Sequence, residues 1–69
     1  GEFNSTELTI IKLICQEKTS DEIAPILGLS RRTIEDYRSD IIKKMKVRNS
    51  VGILIYAVKN GIINLHKTP

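Results

Sequence analysis

The sequence predicts an all-α fold, a compact four-helix domain that contains a helix-turn-helix. Apolar residues recur at spacings of three and four along four stretches, and each stretch follows a residue that can cap a helix. No stretch alternates between apolar and polar residues with the period of a strand. Because 69 residues suffice for one small domain, we expect residues 1–69 to form a single unit.

The first two predicted helices each begin at a capping box, in which a polar side chain and a glutamate three residues later satisfy exposed amides. Residues 4–7 predict a first helix over about residues 5–17, and residues 19–22 predict a short second helix. Phe3 is placed to pack against Leu8. The predicted buried residues are Leu8, Ile11, Ile14 and Cys15 in the first helix and Ile23, Ala24, Ile26 and Leu27 in the second.

The turn after the second helix is typical of a helix-turn-helix. Pro25 lies past the first turn of the second helix, so we expect that helix to be distorted or very short. Gly28 supplies a left-handed residue at its end, and Ser30 caps a third helix that runs to about Lys46. The predicted core face of the third helix consists of Ile34, Tyr37, Ile41 and Met45.

A fourth helix is predicted from the turn at residues 47–50 to Asn60, before Gly61. Its residues predicted to face the core are Leu54, Ala57 and Val58. The helix has more apolar residues than one core face needs, and a second copy of the chain is the simplest cover for the remainder. The predicted dimerisation residues are Val51, Gly52 and Ile55. The alternative is that other helices or a further domain cover them.

Charge is distributed unevenly along the chain, whose formal net charge is +3. Residues 31–48 hold seven basic and three acidic side chains, whereas residues 1–30 hold two basic and five acidic ones. The positive segment coincides with the second helix of the helix-turn-helix, which indicates a surface that attracts nucleic acid. A solvated helix face without a ligand is the alternative interpretation.

The sequence gives little support to other classes of function. There is no base–nucleophile pair, acidic cluster or Gly-rich phosphate loop, so we predict that the protein is not an enzyme and uses no cofactor. Cys15 and His66 are too few to form a zinc site. No apolar run approaches the ~20 residues that span a bilayer, so no membrane partner is predicted.

Residues of the second, third and fourth predicted helices, and of the turns beside them, form a further pattern. They are residues 19–24, Leu27, Leu29, Ser30, residues 33–35, Tyr37, Arg38, Ile41, Lys44, Met45, Val47, residues 56–58 and residues 61–63. Their joint spacing, over about residues 3–63, resembles the LuxR-type (FixJ/NarL, or GerE) DNA-binding domain. The resemblance implies sequence-specific binding of double-stranded DNA by the output domain of a bacterial, cytoplasmic response regulator in a two-component system. Since the chain begins Gly1-Glu2 without a methionine, we expect it to be one domain of a longer regulator.

The resemblance also implies partners. The third helix would act as the recognition helix in the major groove, and the fourth would mediate a homodimer. RNA polymerase and a receiver domain N-terminal to this one would be further partners. Two alternatives remain open: a promoter-binding module like region 4 of sigma factors, and a helical module that binds only protein.

The candidate DNA-binding residues lie at the start and along the outer side of the third helix. They are Ser30, Arg31, Arg32, Thr33, Glu35, Asp36, Ser39, Lys43 and Lys44. Arg31 and Arg32 can hold phosphate or a guanine edge. Glu35 is placed either to accept from a cytosine N4 amine or to pair with an arginine of its own helix. Because acids on this face oppose phosphate, we expect weak binding by the monomer and a need for dimerisation.

Overall fold

Four α-helices form the regular structure of residues 2–64, the part of the chain that the computed structural model describes. They are α1 (Ser5–Cys15), α2 (Ser20–Leu27), α3 (Arg31–Met45) and α4 (Ser50–Lys59). Within residues 2–64 there is no strand. The all-α class is therefore confirmed, as is the helix-turn-helix, which consists of α2, a three-residue turn and α3.

The starts of the first three helices follow from local capping chemistry. At α1, the Asn4 side chain accepts from the Glu7 amide at 2.8 Å, and Glu7 Oε1 accepts from the Asn4 amide at 2.9 Å. The same reciprocal pair joins Thr19 and Glu22 at α2. Ser30 caps α3 through its hydroxyl. Both capping boxes and the Ser30 cap are confirmed.

A single hydrophobic core lies between the helices. Its buried members are Ile10, Ile11, Ile14, Ile23, Ala24, Ile34, Ile41, Met45, Ile53 and Ala57. The helix α3 contributes one face to this core and contacts α1, α2 and α4. Because three helices hold the same face of α3, its opposite face is left to solvent.

The predicted end of the first helix is wrong. The helix α1 ends at Cys15, two residues before position 17, because Gln16 caps it and Glu17 turns the chain with a φ of 65°. Cys15 itself is half-buried and packs against the core, as expected of a small apolar side chain. Burial raises the pKa of the Cys15 thiol.

Two apolar side chains predicted to be buried are exposed. Ile26 is 56% exposed on α2, because it lies about 200° around the helix from the buried Ala24. Val58 is likewise exposed, about 100° from the buried Ala57. Leu54 is half-buried, and Ile53, which was not predicted, takes the central core position on α4.

Two local predictions have mixed outcomes. The helix α2 is short, at eight residues, but it continues through Pro25 without a break and ends at Gly28, whose φ of 67° is left-handed as predicted. Phe3 lines the same small cavity as Leu8, and its ring also meets Tyr56 edge to face at a centroid distance of 6.2 Å. Residues 2–64 contain no helix with the length and apolar character needed to cross a bilayer.

Candidate nucleic-acid interface

The helix α3 presents its solvent face as a regular row of side chains. The members of this row, called here the outward stripe, are Arg32, Asp36, Ser39 and Lys43. All are exposed, and their spacing of three or four residues aligns them along one side of the helix. These four were predicted as site residues, and the structure brings them together on one surface.

The first turn of α3 carries two arginines at one end of the stripe. Arg31 Nε lies 3.2 Å from an Asp21 carboxylate oxygen on α2, and Arg32 Nε lies 3.5 Å from Asp36 one turn along α3. Ion pairs as exposed as these contribute at most about 1 kcal/mol, because water already solvates both partners. Both guanidinium groups can therefore exchange these partners for an anion or a base edge.

Ser30 and Thr33 lie beside these arginines. The Ser30 hydroxyl accepts from the Thr33 amide at 3.1 Å, and the two hydroxyl oxygens are 2.9 Å apart. Ser30 thus stabilises the start of α3 as its N-cap, in addition to any contact with a ligand. Thr33 is half-buried, so it offers less surface than the sequence pattern suggests.

Glu35 does not extend along the outward stripe. Its carboxylate accepts a hydrogen bond from the Ser20 hydroxyl of α2 and lies 3.8 Å from Arg38 Nε. In the folded chain Glu35 makes its alternative contact, an ion pair along α3, with an added bond to α2, and its contact with a base stays a prediction. The sequence could not decide between the base contact and the ion pair, because only the packing of α2 against α3 brings Ser20 to Glu35.

Arg38 was missed as a candidate residue, and it joins α3 to α4. Its Nη2 donates to the Ser50 hydroxyl at 2.6 Å, in the first turn of α4. Together with the bonds of Glu35, this contact links α3 to the first turns of both α2 and α4. One signal was available: Arg38 follows the core residue Ile34 by four, so its stem had to lie beside the core.

Lys44 faces α1 and not the outward stripe. Its ammonium donates to Glu7 Oε2 at 2.8 Å and to the Glu2 carbonyl at 3.4 Å, and it lies 5.5 Å from the centre of the Phe3 ring. The Lys44 hydrogen bond, followed by that of the Asn4 amide, lowers the pKa of the Glu7 carboxyl. In the folded chain the Lys44 ammonium thus joins α3 to α1, and its contact with DNA stays a prediction.

The predicted dimerisation residues differ in what they contact. Val51 and Ile55 are 63% and 51% exposed, and Val58 extends the same apolar surface by one turn. Gly52 instead faces its own chain, because a Cβ built there would lie only 2.6 Å from the Val47 Cβ. The structure therefore explains Gly52 by the turn between α3 and α4, without a partner helix.

No group of three or more potential metal ligands occurs in residues 2–64. His66, the other residue weighed for a metal, lies outside the described part of the chain.

Comparison with known proteins gives one consistent family. A model of the bacterial regulatory proteins of the luxR family matches residues 3–57. The uncharacterized response regulatory protein YgeK of Escherichia coli is 34% identical over 65 residues, which cover 94% of this chain and 44% of YgeK. The transcriptional regulatory protein MctR of Rhizobium johnstonii is 33% identical, over 84% of this chain and 27% of MctR. The regulatory protein SdiA of Escherichia coli is 33% identical, over 88% of this chain and 25% of SdiA. The chain thus spans less than half the length of these relatives.

Proposed function

The chain belongs to the LuxR family of bacterial regulatory proteins, and we propose from this premise that it binds double-stranded DNA with sequence specificity as the DNA-binding domain of a transcriptional regulator. Membership of this family decides against the sigma-factor alternative. The observation that carries the proposal is the outward stripe. It is an exposed row of polar side chains that begins with Arg32, and the opposite face of α3 packs against α1, α2 and α4. A rigid helix with one free polar face is the geometry that enters a major groove.

In the proposed complex, the ends of the interface and its middle have different tasks. Arg31 and Lys43 hold phosphates, which position the helix without carrying sequence information. Arg32, Asp36 and Ser39 face base edges. The hydroxyls of the other two candidate residues, Ser30 and Thr33, lie near Arg31 at the start of α3.

A salt titration tests this proposal. We expect a fluorescently labelled duplex of arbitrary sequence to bind at low salt, with log K falling linearly as log salt concentration rises. Lys43→Gln should weaken binding to all sequences alike and reduce the magnitude of the slope by about 0.9, the value for one lost phosphate contact. Lys12→Gln is the matched control, because it removes the same charge from an exposed position on α1.

The outcomes of the titration are distinct. An unchanged slope for Lys43→Gln would remove that lysine from the interface. If the wild-type chain binds no duplex at low salt, the proposal fails and the helical module that binds only protein takes its place.

We further propose that two copies associate through the exposed apolar surface of α4 and bind half-sites about 10 bp apart. Ile55→Glu should convert the dimer on DNA to a monomer, because it would bury a carboxylate without a partner. Sedimentation of the protein with a two-half-site duplex measures this. Ile26→Glu is the matched control: it introduces the same charge at an equally exposed isoleucine, on α2. A complex of unchanged mass with Ile55→Glu would contradict this interface.

The rest of the regulator is proposed on the lengths and names of the relatives. YgeK, named as a response regulatory protein, is more than twice as long as the segment that matches this chain. We propose that a receiver domain N-terminal to this one controls its binding, that RNA polymerase is contacted at the promoter, and that the regulator acts in the bacterial cytoplasm. Mass spectrometry of the intact protein from its native source tests the first step, since it gives the full length.

A further inference from the structure

The N-terminal half of the outward stripe holds a pair of opposite charges. Arg32 Nε and Asp36 Oδ1 are 3.5 Å apart, and their side chains are 87% and 68% exposed. Asp36 is the stripe's one acidic member: the neighbouring Glu35 is bonded to Ser20, and Asp40, which is also exposed, lies one turn beyond Asp36 at the edge of the stripe. In the complex proposed above, on which this inference rests, the Asp36 carboxylate must enter the groove with the helix.

A carboxylate in a major groove has few acceptable partners. It is only an acceptor when ionised, so it repels phosphates and the acceptor edges of guanine and thymine. Leaving it without a donor after water is displaced is costly. The donors that base pairs offer in the major groove are the exocyclic amines, N4 of cytosine and N6 of adenine.

We propose that Asp36 is a specificity-determining residue that requires an exocyclic amine, cytosine N4 or adenine N6, at one position of each half-site. Arg32, whose Nε lies 3.5 Å from Asp36, donates to the neighbouring acceptor edge, guanine O6 and N7. A single G·C pair presents the guanine acceptors O6 and N7 beside the cytosine N4 donor. Arg32 and Asp36 together therefore match the hydrogen-bonding pattern of one G·C pair. Asp36 lies nearest to Nε of Arg32, so the Nη1 and Nη2 groups of the same guanidinium are available to donate to the base.

Selection of bound duplexes from a randomised library, followed by affinity measurements on single-base variants, tests this assignment. The wild-type chain should select cytosine or adenine at one position per half-site, by about tenfold over other bases. Asp36→Ala should lose this preference at that position alone. Asp40→Ala is the matched control, because it removes another exposed acid of α3, one turn beyond Asp36 and outside the pair with Arg32, and it should keep the wild-type preference.

Asp36→Asn tells the two amines apart. Asparagine pairs with adenine through N6 and N7 together, so an adenine preference should persist in this variant. A cytosine preference should instead weaken or shift to adenine.

The contrary results are equally clear. If Asp36→Ala binds all sequences more tightly by one common factor and selects an unchanged site, Asp36 only repels the DNA backbone and the inference is overturned. Loss of a guanine or thymine preference in Asp36→Ala would also overturn it. Failure of the wild-type chain to enrich any duplex would overturn the proposed function itself, and this inference with it.

Discussion

Replacing Lys44 with methionine should lower the free energy of unfolding at pH 7 by about 2–3 kcal/mol, as measured by urea denaturation. The reason is the carboxylate that Lys44 leaves behind. The Glu7 side chain is only 6% exposed, and Lys44 Nζ donates to it at 2.8 Å. Methionine keeps the apolar stem but removes the charge. Because a domain of this size rarely has more than about 3–5 kcal/mol of stability, the loss should remove roughly half of it or more, and the urea midpoint should fall in proportion.

The adjacent lysine provides the control for this prediction. Lys43→Met makes the same chemical change one residue earlier, on the outward stripe, where the side chain is exposed. Its effect on stability should stay within about 0.5 kcal/mol. Equal stability losses in the two variants would show that the Glu7–Lys44 contact contributes nothing of its own.

Because of the same ion pair, we expect the effect of Lys44→Met on the free energy of unfolding to depend on pH. The pKa of Glu7 in the folded chain lies below its ordinary value of 4.5, chiefly because Lys44 donates to the carboxylate. A lowered folded pKa stabilises the protein above the unfolded pKa, and this stabilisation is lost as the pH falls through the folded value. In Lys44→Met, Glu7 takes up its proton at a higher pH, which relieves the buried charge. The difference in stability between wild type and variant should therefore shrink below about pH 4.5.

The parts of the fold that the sequence predicted are those set by neighbours along the chain. Capping boxes at residues 4–7 and 19–22 bond residues three apart, so their pattern is visible in the sequence and the structure confirms it. Gly28 signals its own left-handed conformation. Glu17 and Lys46 also adopt positive φ angles, of 65° and 59°, yet neither residue type announces such a conformation.

The same distinction between local and tertiary determinants applies to the candidate site. Helical spacing alone placed Arg32, Asp36, Ser39 and Lys43 on a common face, and they share it. The two departures, Glu35 and Lys44, lie on the flanks of α3. Their partners come from α2, 15 residues away, and from α1, 37 residues away. Only the packing of the helices decides whether a flanking side chain faces the groove or a neighbour.

Gly52→Ala should lower the free energy of unfolding by about 1–3 kcal/mol, although alanine is the better helix former. The added Cβ would lie 2.6 Å from the Val47 Cβ and 3.2 Å from each of its two Cγ atoms. A Cβ cannot rotate away as the tip of a long side chain can. Val47 is also held in place, because its amide donates to the Ile42 carbonyl at 3.2 Å and it follows the left-handed Lys46.

A double-mutant cycle with Val47→Gly separates this contact from the general effects of either change. Removing the Val47 side chain takes away the obstacle, so Gly52→Ala should cost less in that background, with a coupling energy of about 1 kcal/mol or more. The cycle also separates two roles of Gly52. A contact within the chain gives a loss of stability that is the same at every protein concentration, whereas a role at the dimer interface gives a loss that depends on concentration. A concentration-dependent loss without coupling to Val47 would return Gly52 to the dimer interface.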